Sequence, residues 1–260
     1  MKRVDESVFR LDGRVAVVTG GAGGICSAIC RAYANVGAKV ACLDYDGEAA
    51  QALAASIREA GGEAIGLACD VSDEQATLAA VQNIKQQLGA PTVLLNGAAV
   101  LDRTGSILEI DPQEWQRVMS VNLTGVYLMS RAVLPEMIAA GGGSIIHLAS
   151  MHGRVGRAGR VSYTTAKAAL IMLAQNMAMD HADDGVRVNS LSPGAVATRR
   201  ITYRYGENAQ EQLKAAAQKY LMKRFADPDE MVGAALFLAS DASSYMTGAD
   251  LLVDGGYCAA

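Results

Sequence analysis

Arg14-Val15-Ala16-Val17-Val18-Thr19-Gly20-Gly21-Ala22-Gly23-Gly24 reads as a buried β-strand that runs straight into a glycine-rich turn. Helical periodicity takes over from Ile25 to Val36, with Gly37 placed to end it. Strand, glycine turn and helix N-terminus in this order let backbone N–H groups and the helix dipole approach a pyrophosphate, because glycine leaves no side chain in the way. Gly20, Gly23, Gly24 and Ile25 are the residues offered for that contact.

Working outward, Ala38 to Leu43 is the next strand, closed by Asp44. A carboxylate there, a little over twenty residues past the glycines, can accept hydrogen bonds from adenosine ribose hydroxyls and repel a 2′-phosphate. NAD rather than NADP is the cofactor this pairing favours. Helical and strand-like segments then alternate: helix Gly47–Ala60, strand Ala64–Ala68, helix Asp73–Leu88, strand Thr92–Asn96. A long helix follows from Pro112, with Asp111 as its N-cap, to about Ala139. Strand Ser144–Leu148, a helix carrying Tyr163, and strand Val186–Ser190 complete the pattern. Continuous apolar strands separated by helices predict a parallel sheet covered on both faces, a doubly wound α/β fold in one domain over residues 1–260. Residues 10–100 form mainly the cofactor half, and 101–260 the catalytic and substrate half.

The 260 residues are 51% hydrophobic, enough for a large core, and the net charge of −4 shows no basic surplus for nucleic acid. Cys26, Cys30, Cys42, Cys69 and Cys258 form no C-x-x-C pair and read as reduced core thiols; neither a disulfide framework nor a metal site is implied. Met1 to Phe9 is charged and lacks the apolar core of a signal peptide, and no apolar run approaches the ~18 residues of a membrane span. A soluble, cytoplasmic protein is expected.

Tyr163-Thr164-Thr165-Ala166-Lys167 places a phenol and an ammonium four residues apart. On a helix they lie about 6 Å apart along the axis and on one face. A phenol, with an ordinary pKa near ~10, is a poor general acid or base at neutral pH, but a neighbouring cation favours the phenolate. Bringing it to about 7 takes roughly 4 kcal/mol, more than one lysine supplies. An oxidised nicotinamide ring is a second positive charge that helps.

Together these residues resemble the short-chain dehydrogenase/reductase family, over nearly the whole chain. The run from Thr19 to Cys26 is similar to its T-G-x-x-x-G-[IL]-G cofactor loop, Asp70-Val71 to its adenine-contacting pair, and Asn96-Gly97-Ala98-Ala99 to its N-N-A-G segment. Asn122 resembles the catalytic-helix asparagine and Ser150 the catalytic serine. Pro193-Gly194, with Val196 and Thr198, resembles the P-G-x-x-x-T segment that brackets the nicotinamide. The resemblance implies that Tyr163 exchanges the substrate proton, Ser150 holds the substrate oxygen, Lys167 binds the ribose and lowers the tyrosine pKa, and Asn122 holds a water linking Lys167 to solvent. It also implies a Rossmann-like fold, a homotetramer formed through the long helices and the C-terminal strand, and a mobile flap at about 199–225. Two departures stand out. Cys26 replaces the third loop glycine, where a modest shift of loop or cofactor is expected; Gly97 and Ala99 replace residues of the N-N-A-G segment, which removes hydrogen bonds that steady the central strands and lets Gly97 loosen the backbone.

The flap sequence, Arg199-Arg200-Ile201-Thr202-Tyr203-Arg204-Tyr205, is basic and hydroxyl-rich. Arg157 and Arg160 lie between the serine and the tyrosine, and His152 is two past the serine. A long acyl or steroid pocket is more naturally lined with Leu, Met and Phe, whereas arginine suits carboxylate, phosphate or sulfonate. Ser150, His152, Arg157, Arg199, Arg200, Tyr203 and Arg204 are the candidate substrate contacts; solvation or pairing at a subunit contact is the alternative for any single arginine. The sequence thus reads as an NAD-dependent dehydrogenase of a secondary alcohol or hemiacetal carbon on a polar, polyhydroxylated small molecule, with room for an anionic group: a sugar, sugar acid, sulfonated sugar or polyol. The alternatives are a 3-oxoacyl reductase, disfavoured by Asp44 and the basic flap, and a non-catalytic cofactor-binding relative, disfavoured by Ser150, Tyr163 and Lys167.

Overall fold

Alternate residues of the central strands point to opposite faces and both sets are apolar, so each strand has to be covered twice. The chain does this with one parallel sheet between two helical layers. The computed structural model describes residues 5–198 and 209–259, and in it seven strands pair in the order β3-β2-β1-β4-β5-β6-β7. They are β1 Val15–Thr19, β2 Lys39–Asp44, β3 Glu63–Ala68, β4 Pro91–Asn96, β5 Gly143–Leu148, β6 Val186–Pro193 and β7 Asp250–Val253. The helices are α1 Gly24–Asn35, α2 Gly47–Glu59, α3 Glu74–Gln87, α4 Pro112–Met119, α5 Gly125–Ala139, α6 Val161–His181, α7 Ala209–Ala217 and α8 Val232–Ala239. On one face Val18, Cys42, Leu95 and Ile146 pack with Ile29 and Tyr33 of α1 and Leu238 of α8. On the other, Val17, Leu43, Leu94 and Ile145 pack with Ile84 of α3, Val133 and Met137 of α5, and Ala174 of α6.

The chain winds outward from β1 to β3 and then returns to β4 on the other side of β1, so a crevice opens at the C-terminal ends of β1 and β4. Helix ends fall where the residues dictate. Asp46 accepts from Ala49 N–H at 3.0 Å, Asp73 from Gln75 N–H at 2.8 Å, and Asp111 from Glu114 N–H at 2.8 Å, each satisfying an orphan donor of the following helix. Gly37, at φ +98, ends α1 as expected.

Two features differ from the periodicity. The long helix from Pro112 is helical to Ala139, but Ser120–Thr124 forms a π turn between α4 and α5. Its wider loop is offset by Asn122, whose side chain is buried and bonded to the β4–α4 connection. Strand β6 runs on to Pro193 because Ser190 to Pro193 pair with the edge strand β7, which no local periodicity had placed. Among the described residues no helix is long and apolar enough to cross a membrane, and no three His, Cys, Asp or Glu side chains converge on a metal position.

Candidate active site

The crevice is stitched by Thr19. Its hydroxyl accepts the backbone N–H of Gly97 at 3.0 Å and of Ala98 at 3.2 Å, which joins the ends of β1 and β4. Gly20 turns the chain away at φ +64, and a Cβ there would lie 2.8 Å from Ala98 Cα, so only glycine passes. Helix α1 then starts at Gly24 with Gly23 as N-cap, and a glycine has no side chain to cap the leading N–H groups, which leaves that end to face an anion. A Cβ on Gly24 would meet Thr198 Cγ2 at 2.7 Å, so the segment after β6 lies directly over that turn. Asp44 accepts from Ala22 N–H at 3.0 Å and Asp46 N–H at 3.1 Å, which sets its carboxylate beside the glycine loop. An uncapped helix N-terminus, a loop kept bare by glycines and a carboxylate at the end of β2 fit the pyrophosphate and ribose of a nicotinamide dinucleotide.

Other residues of the cofactor set build this crevice from within. Asp70 caps its own turn, accepting from Ser72 N–H at 2.9 Å and Ser72 Oγ at 2.6 Å. Val71 is buried, and its Cγ2 fills the space over Gly125, where a Cβ would come within 2.6 Å. The Asn96 side chain goes into the core, its Nδ2 lying 3.1 Å from Ser130 Oγ and 3.2 Å from His147 Nδ1. Ile25 packs against the core beneath the loop. Pro193 ends β6 opposite Val253, and Gly194 passes so close to Asp254 that a Cβ would meet its Cα at 2.7 Å. Val196 is buried and bridges to Ala226.

Two of the departures from the family pattern, Cys26 and Gly97, prove to be one. A Cβ on Gly97 would lie 2.3 Å from Cys26 Sγ, so the thiol occupies the space that a side chain at position 97 would need.

Ser150 and Tyr163 line one cavity of about 480 Å³ beside the crevice. Ser150, buried just past the end of β5, caps a short 3-10 turn by accepting from His152 N–H at 3.1 Å. Lys167 is buried, donates to the Leu148 carbonyl at 2.5 Å, and holds its ammonium 5.9 Å from the centre of the Tyr163 ring. Arg160 lies over that ring at 4.6 Å and pairs with the buried Asp102 at 2.5 Å. Asn122 is spent on the backbone of Val100, accepting its N–H at 2.7 Å and donating to its carbonyl at 3.1 Å. Its side chain therefore clamps the loop that carries Leu101. Arg199, Arg200, Tyr203 and Arg204 lie outside the described residues. Asp102, Lys219 and Tyr220, which join the site by contact or as cavity walls, had not been singled out, and Thr19 had been quoted only as the opening of the cofactor loop. Thr19, the last strand residue before a glycine turn, carried a readable signal; Lys219 carried none.

Fold and cradle together define a doubly wound, dinucleotide-binding oxidoreductase. A family model described as enoyl-(acyl carrier protein) reductase matches residues 20–258. D-threitol dehydrogenase of Mycolicibacterium smegmatis is 41% identical over 96% of this chain and 94% of its own length. Galactitol 2-dehydrogenase (L-tagatose-forming) of Cereibacter sphaeroides is 40% identical over 96% of this chain and 97% of its own. The crystal structure of a gluconate 5-dehydrogenase from Burkholderia cenocepacia, in complex with NADP and tartrate, superposes with TM-score 0.92 at 33% identity, covering 98% of both chains. The chain belongs to the short-chain dehydrogenase/reductase family.

The shared volume of Cys26 and Gly97 gives a first test. Gly97→Ala overpacks the site and should cost about 1–3 kcal/mol in urea unfolding. In a Cys26→Ala background the cost should shrink by at least ~0.5 kcal/mol, without vanishing, because the new methyl still meets the Thr19 carbonyl at 2.9 Å. Strict additivity of the two changes would show that the thiol does not hold that space.

The buried histidines give a second. Burial, and then the Lys167 ammonium, holds the His147 pKa down to about 3; burial, and then Arg157, holds His152 to about 4. In the unfolded chain both take up a proton near pH 6.5, so the unfolded state binds more protons below that pH. Their contribution is therefore fully present above about pH 6.5 and drains as pH falls toward 4, at about 1.4 kcal/mol per pH unit for each histidine. Urea unfolding at pH 7, 6 and 5 reads the slope. His147→Gln, whose amide oxygen can still accept from Asn96, should lower it by one proton's worth; an unchanged slope would contradict this assignment.

Proposed function

We propose that this protein is an NAD-dependent dehydrogenase that oxidises a secondary alcohol of a polar, polyhydroxylated small molecule such as a sugar alcohol or sugar derivative. The observation that carries the reading is the convergence of Ser150 and Tyr163 on one cavity, with the Lys167 ammonium behind the phenol and the glycine cradle alongside. The Tyr163 phenol oxygen, its own proton given up beforehand to solvent, takes the proton of the carbinol as its carbon is oxidised. The Ser150 hydroxyl donates to the same oxygen, and the Lys167 ammonium stands one helical turn on from the phenol. A dinucleotide, when bound, supplies the hydride acceptor. The substrate class is supported by the polar groups on the cavity wall, Ser150, His152, Tyr220 and Tyr257 among them, and by relatives named for D-threitol and galactitol. Asp44 favours NAD through its place beside the loop.

Replacing Tyr163 by Phe should leave fold and dinucleotide affinity in place and lower kcat by about 10²–10⁴-fold on D-threitol or galactitol. A variant that turns over within a few-fold of wild type removes Tyr163 from proton transfer.

Kinetics with the two dinucleotides decide the Asp44 reading. NAD should be preferred at least ~10-fold in kcat/KM, equivalent to about 1.4 kcal/mol, and Asp44→Ala should erase most of that preference. Equal or better use of NADP by the wild type would place the 2′-phosphate clear of Asp44.

A further inference from the structure

Three cationic side chains line the cavity that holds Ser150 and Tyr163, namely Arg157, Arg160 and Lys219, and among the described residues no carboxylate does. Arg160 is already engaged. It is 4% exposed, pairs with Asp102, and lies over the Tyr163 ring. Arg157 and Lys219 differ. Both are solvent-exposed wall residues, which puts them at the mouth, and among the described residues neither has an acidic partner. A cation on a cavity wall that faces no anion gains when a ligand brings one, and two of them facing one space repel each other until it does.

The geometry also holds Arg157 in place. Its Nη1 donates to His152 Nε2 at 3.3 Å, with the imidazole kept neutral because burial, and then Arg157 itself, holds its pKa to about 4. The His152 ring meets Tyr257 edge-on at 5.8 Å, Tyr257 lies 5.0 Å from Tyr220, and Tyr220 meets Phe225 at 5.5 Å. A guanidinium oriented by this aromatic wall loses less conformational freedom when it engages a ligand. The cavity wall thus carries two chemically different sets of groups: the buried hydroxyl of Ser150 with Tyr163, and the two exposed cations.

We propose that Arg157 and Lys219 form an oxyanion subsite at the mouth of this cavity, and that the physiological alcohol carries a carboxylate there, at the end away from its carbinol carbon. The assignment rests on the alcohol dehydrogenase reading above and narrows it from polyols at large to hydroxy acids of the aldonate type. A cavity of about 480 Å³ accommodates an aldonate of about four to six carbons.

The test compares kcat/KM with NAD for two matched pairs, D-gluconate against D-glucitol and D-threonate against D-threitol, in wild type, R157A, R157K, R157E and K219A. The wild type should favour the acid of a pair, and R157A should cut that acid-to-alditol ratio about 10-fold, mainly through KM for the acid. K219A should cut it in the same direction, R157K should keep part of it, and R157E should invert it. A wild-type ratio near one, or a ratio that the variants leave unchanged, overturns the subsite and leaves the dehydrogenase reading standing. If none of the four compounds is oxidised, the dehydrogenase reading is what suffers. The subsite is then decided by calorimetric titration of wild type and R157A with succinate, an oxyanion with no hydroxyl to oxidise: weaker binding by R157A supports it, and equal or absent binding in both overturns it.

Discussion

A buried ammonium loses several kcal/mol of hydration unless the protein supplies acceptors, and that requirement organises this active site. Lys167 is 4% exposed and donates to the carbonyl of Leu148 at 2.5 Å. The bond holds the first turns of α6 against the end of β5. Because Tyr163 lies one turn before Lys167 and Ser150 two residues beyond Leu148, the same contact brings phenol and hydroxyl to one cavity. It also constrains what stands nearby. His147, on the strand that supplies the carbonyl, is fully buried and kept neutral partly by that ammonium, so its Nδ1 is free to accept from Asn96. A chain of buried polar contacts therefore runs from α6 through β5 to β4 without bringing a second charge into the core.

The cations near the substrate cavity divide by the same reasoning. Arg160 and Asp102 are both buried and paired, and removing either would leave an uncompensated charge, the costly half of a buried ion pair. Their pairing joins the loop after β4 to the start of α6, as does the hydrogen bond from Gly105 N–H to the Gly159 carbonyl at 3.0 Å. Arg160 thus serves the scaffold around the tyrosine. Arg157, three residues earlier, is exposed, touches the His152 ring and has no acidic partner among the described residues.

Most of the fold could be read from the sequence because parallel strands buried on both faces are uninterrupted apolar runs, and because Asp46, Asp73 and Asp111 cap helices through contacts two or three residues long. The glycine turn was readable for the same reason: its constraints are local. What escaped is non-local. Strand β7 is short and defined by pairing with β6, and α8 is an almost wholly apolar octet with no helical period. The π turn at Ser120–Thr124 depends on Asn122 reaching the backbone of Val100 across the loop, which spacing along the chain does not encode. In the site, Ser150, Tyr163 and Lys167 were readable because a helical turn and a strand end fix them. The bonds that orient the Asp70 and Asn96 side chains were not, since they depend on Ser72, Ser130 and His147.

Cys26 and Gly97 show most clearly why residues taken one at a time mislead. A larger residue where the first helix packs on the loop reads as crowding, and a glycine where the fourth strand ends reads as slack. In three dimensions the Cys26 sulfur fills the position that a side chain on residue 97 would take, so the volume gained at one site is the volume given up at the other. Interiors are close-packed, and what is held constant is the occupancy of a space shared by α1 and the end of β4. The strand end stays aligned because the Thr19 hydroxyl, which binds the amides of both Gly97 and Ala98, needs only backbone to hold. A side chain at 97 is therefore dispensable to the crevice so long as something fills its place, and the thiol does so.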